Sequence, residues 1–304
     1  MKKHFMIMTT LFVSLTMVFV ACEPKYRVQV RANEGGTIDG QSGEYAEGEI
    51  VVFKAVPDDG YFFVGWSDRI TDNPRTITVG SDDIYLMASF ATTVDLGLSS
   101  GTLWATNNLG ALDPINNGSY YAWGEISTKK EFSWKNYKYG SGYHDITKYC
   151  SIVENGRNGF TDNLHILDDS DNVVVTTLGD NWLMPTVADF QELYNECYWV
   201  STTDYNNYGW GFIVYKSADK SKDYRKNKDS NHKYSPTTDT HIFLPASGFY
   251  SNSEHMNTAG GYYWTPSLKE DEKAYCFSFN RGFITPDDWS FRNFGMTVRP
   301  IHRK

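Results

Sequence analysis

Firm helical spacing of apolar residues occurs in only one segment of this 304-residue chain. Phe190, Leu193, Tyr194 and Cys197 follow the i, i+3, i+4, i+7 pattern of a buried stripe. Pro185 precedes it, Thr186 offers an N-cap, and Asp189 three residues on makes a variant of the capping box. The predicted helix is Thr186 to Cys197. Most of the remainder is short aromatic runs cut by Gly, Asn, Asp and Ser. One helix among many short strands and long loops indicates an α+β chain.

Residues 25–92 read as a small all-β module. Tyr26, Val28, Val30 and Ala32 alternate with Arg27, Gln29 and Arg31, the mark of a half-buried strand. Further strands are expected at Glu49 to Val56, Tyr61 to Trp66, Arg75 to Val79 and Ile84 to Phe90. Asp58-Asp59-Gly60 is a strong turn signal, and Asn73-Pro74 breaks the chain. A module this small buries little core, so it needs neighbours. The join from Ala91 to Val94 lacks the Gly, Ser or Pro richness of a compliant linker, which predicts that the module is held in a fixed relation to the region after it.

At the start of the chain, Lys2 and Lys3, a mostly apolar stretch from Phe5 to Val20, and small Ala21 have the grammar of a secretory signal. A permanent span takes about 20 apolar residues, and Thr9, Thr10, Ser14 and Thr16 interrupt this run. Phe19-Val20-Ala21-Cys22 resembles the lipobox of bacterial lipoproteins. That resemblance implies removal of residues 1–21 and lipid on Cys22, making the membrane a partner. Each buried methylene contributes roughly 0.8 kcal/mol, and stable anchoring takes more than one chain. The implied location is the outer membrane of a Gram-negative bacterium, on its surface or periplasmic face.

Composition narrows the partners. The formal net charge is −9 and no long basic stripe exists, so phosphate backbones repel the chain and nucleic acid is not expected. Aromatic residues reach 16 % while charged ones stop at 21 %, a balance that fills sheet cores and suits recognition surfaces. Lipid on Cys22 leaves Cys150, Cys197 and Cys276, which allow at most one disulfide. Without a C-x-x-C pair, structural zinc is unsupported, and the three thiols are expected as small buried groups. The lysine-rich stretch Ser217 to Ser235 reads as a solvated insertion loop rather than a patch for acidic glycans.

Two resemblances organise the chain. Gly35-Gly36-Thr37, Gly60-Tyr61-Phe62-Phe63-Val64-Gly65-Trp66-Ser67, Asn73-Pro74 and Ile84-Tyr85-Leu86-Met87-Ala88-Ser89-Phe90 resemble the internalin-type B-repeat, or bacterial repeat, family. It implies a β-grasp-like spacer of bacterial surface proteins, with Trp66 as a core aromatic. Residues 94–304 carry Val94 to Ala105, Gly118 to Glu125, Trp182 to Thr186, Ile242 to Gly248, Gly261 to Thr265 and Gly295 to Ile301. In that order, these strings resemble the Fibrobacter-type major paralogous domain family, which is similar to C-type-lectin-like and formylglycine-generating-enzyme folds. The resemblance implies a larger C-type-lectin-like domain, found in secreted and lipid-anchored proteins, that works in adhesion or ligand binding.

Catalytic patterns do not complete. Gly97-Leu98-Ser99-Ser100-Gly101 matches G-x-S-x-G, but a strand-like run follows where a nucleophile elbow needs a helix. Asp168 to Asn172 lacks the glycine and the distant glutamate of a calcium loop and is expected as a polar hairpin turn. Asp287-Asp288 beside Trp289 reads as a turn, and neither cysteine of the formylglycine-generating enzyme maps onto this chain. The expectation is a non-enzyme with no cofactor and no metal site, binding a glycan or protein. Tyr205, Tyr208, Trp210, Tyr250 and Trp289 are the candidate contact residues, because loop aromatics offer rigid area at low entropy cost. The alternatives are a pilus-associated accessory protein and a cryptic formylglycine-generating-like enzyme.

Overall fold

The structure is a computed structural model describing residues 23–68, 70–206, 209–216, 234–280 and 282–303. Cys22, Tyr208 and residues 217–233 of the lysine-rich stretch lie outside the described residues.

Strand β1 (Lys25–Ala32) keeps the expected alternation, with Val28 and Val30 buried and Arg27 and Arg31 exposed. Two strands too short to show a period come next, β2 (Gly36–Asp39) and β3 (Gly43–Ala46). After them are β4 (Ile50–Pro57), β5 (Tyr61–Trp66), β6 (Arg75–Thr78) and β7 (Ile84–Val94). Gly60 turns the chain into β5 at φ +78°, a region that side chains with a Cβ avoid. β1 and β7 run parallel, from Val28 opposite Ile84 to Ala32 opposite Ala88. β5 lies antiparallel to β7, and β2-β4-β6 form a second sheet. The inner faces meet in one core of Val28, Phe53, Ala55, Phe63, Ile77 and Phe90. The module is therefore a two-sheet sandwich. Trp66 is fully buried in it, and its Nε1 donates to the Asp72 carbonyl at 2.9 Å, so it is a core residue.

The larger region begins with β8 (Leu103–Ala105), followed by α1 (Val173–Leu178), β9 (Trp182–Leu183) and α2 (Val187–Glu196). Next are β10 (Tyr198–Tyr205), β11 (Gly209–Lys216), β12 (Thr240–Pro245), β13 (Phe249–Ser251) and β14 (Glu254–Met256). β15 (Gly261–Glu270), β16 (Lys273–Phe279), β17 (Ile284–Phe291) and β18 (Ile301–His302) complete the order. The described residues are mostly β with two short α-helices, a smaller helical share than α+β suggests. α2 starts on the expected cap: Thr186 and Asp189 bond reciprocally, and Arg303 Nη2 adds a donor to Asp189 at 2.9 Å. Phe190 and Leu193 are buried, and Phe190 stacks on Phe277 with centroids 4.4 Å apart. Tyr194 departs from the expected stripe. It is 41 % exposed at the stripe's edge.

No sheet boundary separates the module from the rest. β7 continues past β1 and β5 to pair Thr93 with Ala105 and Val94 with Trp104 of β8. β18 then sits between β8 and β9, giving the order β3-β1-β7-β8-β18-β9. Side-chain packing is equally continuous. Phe62, Val64 and Ala91 share one core with Trp123, Trp182 and Trp264.

Two fully buried arginines brace the larger region. Arg292 donates to the Tyr137 hydroxyl and to the carbonyls of Tyr149, Asp271 and Lys148 at 2.7–3.0 Å. Arg299 donates to Asn108 Oδ1 and to the carbonyls of Ala105, Thr106 and Phe243. Each guanidinium thereby satisfies backbone carbonyls that irregular loops would otherwise leave unpaired.

Candidate functional site

The four described candidate rings lie on β10, β11, β13 and β17. Tyr205 stacks on Phe243 at 4.2 Å with planes 3° apart, and its hydroxyl meets His241 Nε2 at 3.0 Å. Burial pushes that phenol's pKa up. Trp210 packs half-buried toward Phe279 at 6.3 Å. Tyr250 lies parallel to His255 at 4.6 Å and edge-on to Tyr120 at 4.8 Å. Trp289 is 46 % exposed on β17, with Lys273 Nζ 4.6 Å from its ring centre. Tyr205, Trp210 and Tyr250 pack against three different side-chain clusters.

A different set of rings does come together. Trp134 meets Tyr143 at 5.4 Å, Tyr143 meets Phe291 at 5.7 Å, and Phe291 meets Phe294 at 5.6 Å. Phe294 stacks on Phe249 at 5.3 Å, and Phe249 meets Tyr262 at 5.0 Å. None of the six is fully buried, and Tyr143 is 45 % exposed. The row is a continuous aromatic strip in which Trp134, Phe249, Tyr262 and Phe294 pack against the main core.

Local chemistry explains the placement of each ring. Trp134 opens a 3-10 turn (Trp134–Asn136) whose ends are tied by Ser133 and Asn136. Tyr143 rides a loop closed by the Gly140–Ile146 bridge and by Arg157 Nε donating to Asp145 at 2.6 Å. Phe291 and Phe294 are the two ends of a turn in which the Phe294 amide donates to the Phe291 carbonyl at 3.0 Å. Between them, Arg292 and Asn293 point inward and are buried. Two residues in and two out thus leave both phenyl groups on the outside. Phe249 and Tyr262 come from β13 and β15.

Chemically the strip offers apolar area, one indole N–H and two phenol hydroxyls. Asn257 Nδ2 donates to the Tyr262 hydroxyl at 3.2 Å, and burial pushes that phenol's pKa up. The six side chains carry no carboxylate, imidazole, amine or thiol, and aromatic area of this kind is enriched in contact surfaces.

The other motifs resolve into structural roles. Gly97 to Gly101 is a turn before β8, and Ser100 Oγ bonds Glu192 Oε2 at 2.6 Å. Asp168 to Asn172 is not a hairpin turn. Asp169–Asp171 form a 3-10 turn leading into α1, because Asn172 caps the helix through the Val174 amide. Buried Asp171 takes bonds from Lys148 at 2.6 Å, Tyr149 at 2.7 Å and Lys138 at 3.1 Å. Asp287-Asp288 is likewise no turn but lies within β17, and Asp288 accepts from Ser278 Oγ at 2.5 Å. Among the described residues no group of three or more His, Cys, Asp or Glu is arranged to hold a metal ion. Cys150, Cys197 and Cys276 are all buried and free, as expected of small packing residues.

No curated protein and no solved structure matches the chain. Residues 26–94, the span of β1 to β7, match the divergent InlB B-repeat domain family, in agreement with the resemblance of residues 25–92.

Proposed function

We propose that this chain is an extracytoplasmic lipoprotein, anchored by lipid on Cys22, that binds a glycan or protein ligand with its larger, lectin-like region. The aromatic strip from Trp134 to Tyr262 carries this reading. Six rings from distant parts of the chain meet in one run of contacts without any being fully buried, and aromatic side chains dominate the contact energy of recognition surfaces. The module supports it as a spacer. β1 enters beside Lys25 and its parallel partner β7 leaves at Val94, so entry and exit lie at opposite ends of the sheet. A membrane anchor just before β1 therefore places the larger region on the far side. Among the described residues no helix is long and apolar enough to cross a membrane.

The test is saturable binding of the chain to arrays of glycans and matrix proteins. Tyr143→Ala with Phe291→Ala is expected to weaken capture at least tenfold without lowering the melting temperature much. Equal capture by the double variant would remove the strip from the binding surface. Copurification in a stable polymer, with no array ligand, would favour the assembly-component reading instead. For the anchor, incorporation of labelled fatty acid that disappears in Cys22→Ser is the expected result. An unmodified thiol at residue 22 would overturn the anchor.

A further inference from the structure

A concavity lies where the module meets the larger region, lined by none of the residues of the aromatic strip. It is a groove of about 620 Å³, within the range of small-molecule sites, and such sites favour junctions between folding units. Beneath it lies the shared core, with Phe62, Val64 and Trp182 nearly fully buried, while exposed Val56 and Ile126 give the groove its apolar surface. One wall holds Lys54, Tyr61, Thr71 and Asp72 from the module. The other holds Ser127, Thr128, Thr176 and Thr177 from the larger region. The position of the first wall is fixed by Asn73, whose amide nitrogen donates to the Ala55 carbonyl and whose oxygen accepts from the Ala55 amide, each at 2.8 Å. That clamp holds the backbone that carries Lys54 and Asp72, and both side chains line the groove.

We infer that this groove binds a short neutral oligosaccharide. Serine and threonine hydroxyls both donate and accept, as sugar hydroxyls do, and the walls bring those of Thr71, Ser127, Thr128 and Thr177 to one cleft, while Thr176 donates back to the Asn172 carbonyl of its own helix. The exposed aliphatic side chains of Val56 and Ile126, which also line the groove, suit the C–H faces of a sugar ring. One ammonium and one carboxylate on the rim cancel, so the site selects neither an anionic nor a cationic ligand. Among the described residues Asp72 is the sole carboxylate lining the groove, and hydrolysis of a glycosidic bond takes two, so the ligand is held rather than cut. The inference goes beyond the proposed aromatic strip and does not depend on it, since the two surfaces share no residue.

The experiment is calorimetric titration of the full chain with neutral gluco-, galacto- and manno-configured trisaccharides. Asp72→Ala and the pair Ser127→Ala, Thr128→Ala serve as groove variants. All three positions are exposed, so melting temperatures should stay unchanged. Binding of at least one trisaccharide is expected, weakened at least tenfold by each groove variant. Absence of binding at millimolar sugar would overturn the proposal. So would equal affinity in the groove variants, or tighter binding of sulfated or sialylated sugars than of neutral ones. Loss of sugar binding in Tyr143→Ala alone would assign the sugar to the strip and leave the groove without a ligand.

Discussion

Phe62 on β5 and Trp182 on β9 meet edge to face, with ring centroids 4.7 Å apart. One ring belongs to the small module and the other to the larger region, and both sit in the same core. Removing either leaves a cavity at the seam. Phe62→Ala is expected to cost about 3–5 kcal/mol. Because sheet and core run across the seam, urea unfolding should remain a single transition with its midpoint lowered. Tryptophan fluorescence and far-UV circular dichroism would check this, and two separate transitions in the native chain would contradict it.

Arg292 makes the next case. Its guanidinium bonds three carbonyls and one hydroxyl, and lies 5.0 Å from the Trp123 ring centre. Arg292→Met keeps much of the volume but orphans those acceptors, each buried one costing about 1–3 kcal/mol, so a loss of at least ~3 kcal/mol is expected in denaturant titrations. The Phe291–Phe294 turn should loosen with it, read as faster amide exchange at Phe294.

Acid should unfold the protein through Asp171. Burial alone would raise its pKa, but bonds from Lys148, Tyr149 and Lys138 outweigh that and hold the carboxyl well below the usual range. A depressed folded pKa contributes stability that is complete above the unfolded value, near about 3.9, and lost as pH falls toward the folded one. Asp145, Asp162 and Glu196 shift in the same direction. Stability should therefore decline below about pH 4–5. Asp171→Asn should be about 2–3 kcal/mol less stable at pH 7 and show a shallower acid slope. Chemical denaturation at stepped pH reads both.

The three buried thiols should be silent in the native state. Burial pushes Cys150 up to about 11, with the Asp271 carboxylate adding to the rise, and pushes Cys276 and Cys197 up as well. Thiolate is the reactive form. In a chain carrying Cys22→Ser, a thiol reagent at about pH 8 is expected to label none of the three until denaturant is added, and then all three. Rapid labelling of the native protein would show a more open packing.

Local patterns in the sequence were enough to place much of the fold. The period-two alternation of β1 and the cap at Thr186 and Asp189 each depend on neighbours within a few residues, and each appears where those neighbours indicate. β2 and β3, four residues each, are too short to show a period. Asp287 and Asp288 suggested a turn because acids seldom sit mid-strand, but Ser278 satisfies Asp288 from across β16. The aromatic strip was hidden for the same reason. Trp134, Tyr143, Phe249, Tyr262 and the Phe291–Phe294 turn are distant in sequence, and only long-range packing aligns them. Tyr205 and Tyr250 looked like loop aromatics, but each spends one face on a ring partner. Nor does an arginine's identity reveal burial, which comes from carbonyls far along the chain, as for Arg292 and Arg299.

The shared direction of β1 and β7 also has a mechanical consequence. Pulling Lys25 and Val94 apart drags the two strands past each other along their length, so the rungs from Val28–Ile84 to Ala32–Ala88 carry the load together. A hairpin pulled at its open end would instead unzip rung by rung. Resistance of this kind is set by the rate of forced unfolding rather than by equilibrium stability.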